Sequence, residues 1–322
     1  MTVPMYTSSS EAKEVTLGFA VAAVFPLLLQ HGINFKKHLM EHILDQYHRI
    51  DVLLMNHVTI KSTRKINLAI TSILLTVLLA AFFSALTLPR SSALIRYYSF
   101  FTEFKDEVIE FVTPFCTMQL VFAYQYTYPC IIAVTCGVLY YEFGDFLLQF
   151  HFKNLDDPAA LSDRNKILSI AKIHALLFEV AHEVRDATSV ICFLLLCFQT
   201  TTLYCSLAMF LLMKKEDFTI PQIIESCLVV TLIPASIIGV VYGASRISHV
   251  CQKIEMSLLL TRDKLSRQCV SNQDSIRFLD LMITKKLPRM TAFGLGELTP
   301  NFVLSMFGSL FTYSLLVLNL QK

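Results

Sequence analysis

From Asn301 to Leu320 the chain runs 20 residues without a charged side chain. At about 1.5 Å per residue, a helix of that length crosses a hydrocarbon layer of roughly 30 Å. Five further apolar runs precede it, at 15–35, 67–88, 111–142, 187–213 and 223–244. Backbone N–H and C=O groups in lipid find no water, so each run must pair them internally, as a helix. None alternates with the period of two that a barrel strand needs. The sequence therefore predicts an all-α, polytopic helical membrane protein, with residues 1–322 forming one membrane domain of six transmembrane helices. Run 111–142 is longer than a bilayer requires, and Pro129 within it predicts a kink.

Composition agrees with this reading. Apolar residues make up 54% and charged residues 16%, and the mean hydropathy is +0.56, too apolar for a soluble globule. The net charge of +2 comes without a dense basic cluster, which argues against a nucleic-acid partner. Of nine cysteines, seven fall in the apolar runs, and Cys251 and Cys269 fall in the segment 245–300. Structural disulfides are not expected. The opening segment MTVPMYTSSSEAKEV lacks the positive start of a signal peptide.

Orientation follows from Lys and Arg. Segments 36–66, 143–186 and 245–300 hold six, five and nine of them, twenty in all, against seven on the opposite side. Positive loops stay inside, so these three segments are expected in the cytosol and both termini outside. They are not plain linkers. Phe35, Leu39, Ile43, Tyr47 and Leu54 recur at helical spacing, and 165–190 runs without Gly or Pro into the fourth run. Long helical extensions with apolar stripes are predicted, and such stripes need partners, in the same chain or another subunit.

Chemistry-bearing patterns are few. His38-Leu39-Met40-Glu41-His42 fits H-x-x-E-H, which puts two imidazoles on one helical face. Beside Lys36 and Lys37, and with no other ligand set, it reads as a helix face. Neither a phosphate-binding Gly-rich loop nor a nucleophile elbow occurs. An enzyme, a metal and a cofactor are not expected. Thr312, Tyr313 and Asn319 are costly against lipid and should face protein or water. In the outer halves of the spans, Gln119, Tyr124, Tyr126, Thr201, Tyr204 and Glu225 are candidate ligand-binding residues. Singly they read as inter-helix hydrogen bonds, and as a set they suit a cavity for a small polar molecule. Glu183, Arg185 and Asp186, with Arg289 or Lys286, are candidates for an ion-pair set coupling the cytosolic extensions to the last helix.

The C-terminal stretch resembles the insect gustatory receptors, within the arthropod seven-span chemoreceptors that include the odorant receptors. The family's last helix carries Thr-Tyr, five apolar residues, then Gln-Phe. Here Thr312-Tyr313 is followed by Ser314 to Leu318 and then Asn319-Leu320. Thr291-Ala292-Phe293-Gly294 stands where the family has a small residue and then Gly, and Gly308 stands near a small residue inside the helix. Lys172-Ile173-His174-Ala175-Leu176 adds weaker support. Asn319 and Leu320 depart from the family's Gln and Phe. Six runs stand where the family has seven, in matching order if the first is the one missing.

The resemblance implies a ligand-gated, non-selective cation channel of the plasma membrane. A tetramer, homomeric or built with related subunits, would place Thr312, Tyr313, Leu316, Asn319 and Leu320 along a central pore. A ring of Asn319 amides and Leu320 side chains would gate it by dewetting. The ligand would be a small-molecule tastant entering from outside. The alternatives are a G-protein-coupled-type receptor and a small-solute transporter. The first usually has a cysteine pair in its outer loops. The second often has internal repeats and charges at the span centres. The sequence displays none of these features.

Overall fold

The structure, a computed structural model, describes residues 10–54, 59–87, 106–155, 164–212, 219–267 and 273–320. Tyr97, Tyr98, Phe100, Phe101 and Phe104 of the expected outer loop, Cys269, and the side chain of Leu320 lie outside the described residues.

The fold is all-α but for one short hairpin. Its helices are α1 (Ser10–Leu54), α2 (Thr59–Leu86), α3 (Glu107–Phe122), α4 (Tyr128–Asn154), α5 (Arg164–Leu212), α6 (Ile220–Arg267), α7 (Gln273–Thr284) and α8 (Pro300–Leu320). Among the described residues, four helices are long and apolar enough to cross a membrane: Ile66–Leu86, Val108–Asn154, Asn165–Leu211 and Ile220–Arg267. The chain is a multi-pass membrane protein. Helices α1, α5 and α6 have 45, 49 and 48 residues, so each is about 70 Å long, more than twice a bilayer's hydrocarbon core.

Helices α3 and α4 are continuous through a π-turn, Ala123–Thr127. The N–H of Tyr128 donates to the carbonyl of Ala123, five residues back. Pro129 explains the site. Having no N–H, it leaves the carbonyl four residues earlier unpaired, and the widened turn absorbs the mismatch. Where the sequence predicts a kink, the structure has a π-turn whose Gln125, Tyr126 and Thr127 are buried. At the start of α3, Asp106 accepts a hydrogen bond from the N–H of Val108 at 3.0 Å and caps the helix.

The core lies where α4, α5 and α6 meet, with α1 laid along α5. Two glycines let α4 and α6 touch. A Cβ on Gly243 would stand 3.0 Å from the carbonyl oxygen of Gly137 and 3.1 Å from Cβ of Tyr140. Close backbone approach of this kind is how membrane helices gain packing energy without a hydrophobic drive. Polar links tie the same helices together. Tyr140 donates to Thr188 Oγ1 at 2.8 Å, Gln199 donates to Ser236, and Tyr47 donates to the carbonyl of Leu139 at 2.9 Å. Further along, His151 and Ser257 are 2.9 Å apart and Arg246 is ion-paired with Asp145.

After α7, residues 285–290 lead into a two-stranded hairpin, β1 (Thr291–Ala292) and β2 (Gly296–Glu297). Its tip uses positive φ at Phe293 (52°) and Gly294 (71°). Glycine accepts that conformation freely, while Phe293 adopts it at a cost. The N–H of Phe293 donates to the carbonyl of Ser189 at 3.1 Å, which pins the hairpin to α5. Thr299 and Pro300 then start α8, with the fixed φ of proline suited to the first helical position.

Candidate functional site

Two regions carry the candidate chemistry: the outward face of α8, and the end of the bundle where α2 and α5 finish and α3 and α6 begin.

Helix α8 packs on α5 and α6 through Val303, Phe307 and Leu310, a stripe at helical spacing. The other sides are bare in the single chain. Leu304 is 74% exposed, Phe311 72% and Tyr313 59%. Leu316, Thr312 and Asn319 are exposed as well. An added Cβ at Gly308 would meet nothing within 4 Å. The hydroxyls of Ser309, Thr312 and Ser314 donate to carbonyls one turn back, at 2.9, 2.9 and 2.8 Å. The Thr312 donor is thus satisfied within its own helix. Asn319 is the stronger polar feature, because its amide, exposed in the single chain, carries two donors and an acceptor oxygen. The ring of Tyr313 meets that of Tyr204 on α5, edge to face, at 6.5 Å.

At the end of the bundle near the π-turn, Tyr126 donates to Glu225 Oε1 at 2.6 Å, joining the turn to α6. Toward the same end of the bundle are buried polar atoms that lack hydrogen-bond partners among the described residues: Ser84 Oγ on α2, Gln119 Oε1 on α3, Gln125 Oε1 in the turn, and Gln199 Oε1, Thr202 Oγ1 and Ser206 Oγ on α5. Buried polar atoms are almost always satisfied, by protein or ordered water, because leaving one bare costs about 1–3 kcal/mol. These six atoms offer hydrogen-bonding positions that water or a polar ligand would complete. A π-turn at such a place is a frequent companion of function.

Of the six residues proposed from sequence for a ligand, the structure joins Tyr126 to Glu225 and leaves the Gln119 oxygen buried and unpartnered. Thr201 is half-buried, and Tyr124 is exposed. Tyr204 is exposed too and belongs with Tyr313 on α8. Gln199 and Ser84 were missed. Ser84 sits in an apolar stretch and Gln199 at the start of the run Gln199 to Thr202, and neither setting shows which side chain faces a neighbouring helix.

The ion-pair set expected among Glu183, Arg185, Asp186 and Arg289 does not form as one unit. Glu183 stands 3.4 Å from His42 of α1, and Arg185 pairs with its neighbour Asp186 at 2.9 Å. Arg289 binds Glu297 across the hairpin at 2.7 Å, and that carboxylate raises the guanidinium's pKa above its ordinary value. Lys286 pairs with Glu255 at 3.0 Å. A pair eight residues apart, closed by a hairpin, replaces the long-range pair. In the H-x-x-E-H segment, His38 faces Glu41 at 3.6 Å while His42 turns toward Glu183 and Gln46, so its two imidazoles serve different partners.

Set beside solved structures, the chain has the fold of an insect olfactory receptor. The olfactory receptor OR5 from Machilis hrabei aligns with a TM-score of 0.54 at 14% identity, over 99% of this chain and 93% of that one. The same receptor in complex with eugenol aligns at 0.55 and 13%, over 98% and 92%. No family model matches the sequence, and no curated protein matches it.

Proposed function

We propose that this chain is one subunit of a chemosensory, ligand-gated, non-selective cation channel, of the gustatory branch of the insect chemoreceptors. The single observation that carries the ligand-gated part is the set of six unpartnered buried polar atoms toward the π-turn end of the bundle. It supplies hydrogen-bonding positions with apolar surroundings, which a small polar molecule needs. The fold likeness supports the receptor class, and the solved eugenol complex of the olfactory receptor supports a small-molecule ligand. The Thr312-Tyr313 and Asn319-Leu320 spacing supports the gustatory branch.

In this reading all six runs cross the plasma membrane, at 15–35, 67–88, 111–142, 187–213, 223–244 and 301–320. The basic segments 36–66, 143–186 and 245–300 are cytosolic and serve as the anchor between subunits. The polar end of the bundle opens outward. Four copies meet along α8, with Tyr313, Leu316, Asn319 and Leu320 toward a shared aqueous axis. The exposed face of α8 supports this arrangement, since large apolar side chains and an amide on one helix suit a pore constriction. The link from ligand to pore runs through α5, which bears Thr202 and Ser206 near the ligand and Tyr204 against Tyr313.

The test is expression in cells with a panel of sugars, amino acids and phenols, read as whole-cell current. The expected result is a ligand-evoked current reversing near 0 mV and carried by both sodium and potassium. Surface-expressed protein that passes no current with any ligand, alone or with related subunits, would contradict it.

A further inference from the structure

Residues 285–290 carry Lys285, Lys286 and Arg289, and all three line a cavity of about 110 Å³ between α5, α6 and α7. The cavity lies at the end of the bundle opposite the π-turn. Its one carboxylate is Glu255, which Lys286 neutralises at 3.0 Å. Arg289 is paired with Glu297, which does not line the cavity. Lys285 has no carboxylate within 4.0 Å among the described residues. Its ammonium group lies 5.8 Å from the ring of Phe178. The floor holds His174, only 2% exposed, its ring 6.0 Å from that of Phe150. Its nitrogens have no hydrogen-bond partner among the described residues. Three cations line the cavity, two of them already ion-paired and Lys285 not, and a buried imidazole faces the same space.

We propose that this cavity binds a phosphate monoester. Its size admits several waters' worth of volume, well below the roughly 300 Å³ of pockets that enclose drug-sized ligands. A nucleotide does not fit inside, whereas one phosphate with its carrier left outside does. A phosphomonoester near neutral pH carries about 1.5 to 2 negative charges and three acceptor oxygens. Lys285 supplies an unpaired charge, the Arg289 guanidinium adds N–H donors beyond its bond to Glu297, and the neutral His174 ring supplies one N–H. A carboxylate or a phosphodiester brings half the charge and fewer free oxygens. The carrier is a phosphorylated lipid headgroup or a free phosphorylated compound, since the recognised chemistry is the same.

Position gives the site its consequence. The cations sit on the linker between α7 and the hairpin that leads to α8. A bound phosphate would tie that linker to α5 and α6 and hold α8 against the bundle. This regulatory role rests on the channel reading proposed above, but binding itself does not.

The experiment uses the full chain purified in phosphatidylcholine nanodiscs, with melting temperature as readout. Three probes are compared: soluble inositol 1,4,5-trisphosphate, phosphatidylinositol 4,5-bisphosphate in the disc, and phosphatidylserine in the disc. We expect a saturable rise in melting temperature with at least one phosphomonoester probe and none with phosphatidylserine. Protection by the lipid alone assigns a headgroup, and protection by the soluble probe assigns a free compound. Lys285→Gln should weaken apparent affinity about tenfold, Lys285→Arg should restore most of it, and Lys253→Gln, outside the cavity, should leave it unchanged. Protection by neither phosphomonoester, equal protection by phosphatidylserine, or a Lys285→Gln curve that overlays the unaltered protein would overturn the site. Because no current is read, a silent channel and an empty cavity are separate failures.

Discussion

The crossing of α4 over α6 and the outward side of α8 are opposite solutions to one problem. Both are apolar helix surfaces, and an apolar surface needs something to pack against. At the crossing, Gly137 and Gly243 bring two backbones together, and Tyr140 bonds to Thr188 close by. That surface is complete within one chain. On α8, Leu304, Phe311 and Tyr313 are largely uncovered by the same chain, and Gly308 opens onto space. Under the proposed function, the contrast separates what one chain needs in order to fold from what an assembly of copies would need in order to work. Substitutions at the crossing should remove the protein, and substitutions on α8 should spare the protein and change its current.

Gly243→Val should have the largest effect. Its side chain has nowhere to go, since even a bare Cβ stands 3.0 Å from a backbone oxygen. Overpacking of this kind costs roughly 1–3 kcal/mol or more, and surface expression by biotinylation should fall several-fold. Normal expression would mean that the two helices separate easily and that the crossing does not hold the subunit together. Next, Asn319→Ala should change conductance or resting leak several-fold in patch recordings while leaving expression intact. Equal loss of expression and current would erase the contrast between the two regions.

Tyr126→Phe removes the 2.6 Å bond to Glu225 beside the unpartnered polar atoms. If the ligand binds beside this bond, the ligand concentration for half-maximal current should move several-fold. An unchanged dose response would place the ligand elsewhere. Lys37→Gln should matter least. Its partner Glu41 is 3.8 Å away and both side chains are solvent-exposed, so melting temperature and current should stay within error.

Much of the fold was legible in the chain. Uncharged runs dictate helices because lipid offers no other partner for the backbone. The Gly- and Pro-free stretch 165–190 announced a helix that continues beyond its span, and α5 is a single helix from Arg164 to Leu212. The π-turn was not legible. Pro129 signals that a hydrogen bond is missing, but whether a helix bends or widens depends on the packing of Gln125 and Tyr126 against their neighbours. Nor could the sequence reveal that Phe293, rather than a glycine alone, takes positive φ in the hairpin, because the hydrogen bond to Ser189 that holds it is tertiary. Of the site, residue types were visible and orientations were not. Tyr126 and Tyr204 look alike in sequence, yet one is buried beside Glu225 and the other meets α8. Arg289 was drawn toward distant carboxylates when a closer one, Glu297, lay across a turn.

Cysteine accessibility on α8 tests the central claim most directly. Asn319→Cys is placed in a background with the exposed Cys116 and Cys227 changed to Ser, and a charged methanethiosulfonate is applied from outside during ligand-evoked current. If α8 lines an aqueous axis shared between copies, current falls irreversibly, and faster with ligand than without. Full modification of the introduced thiol on the surface-expressed protein, with the current unchanged, would contradict the account.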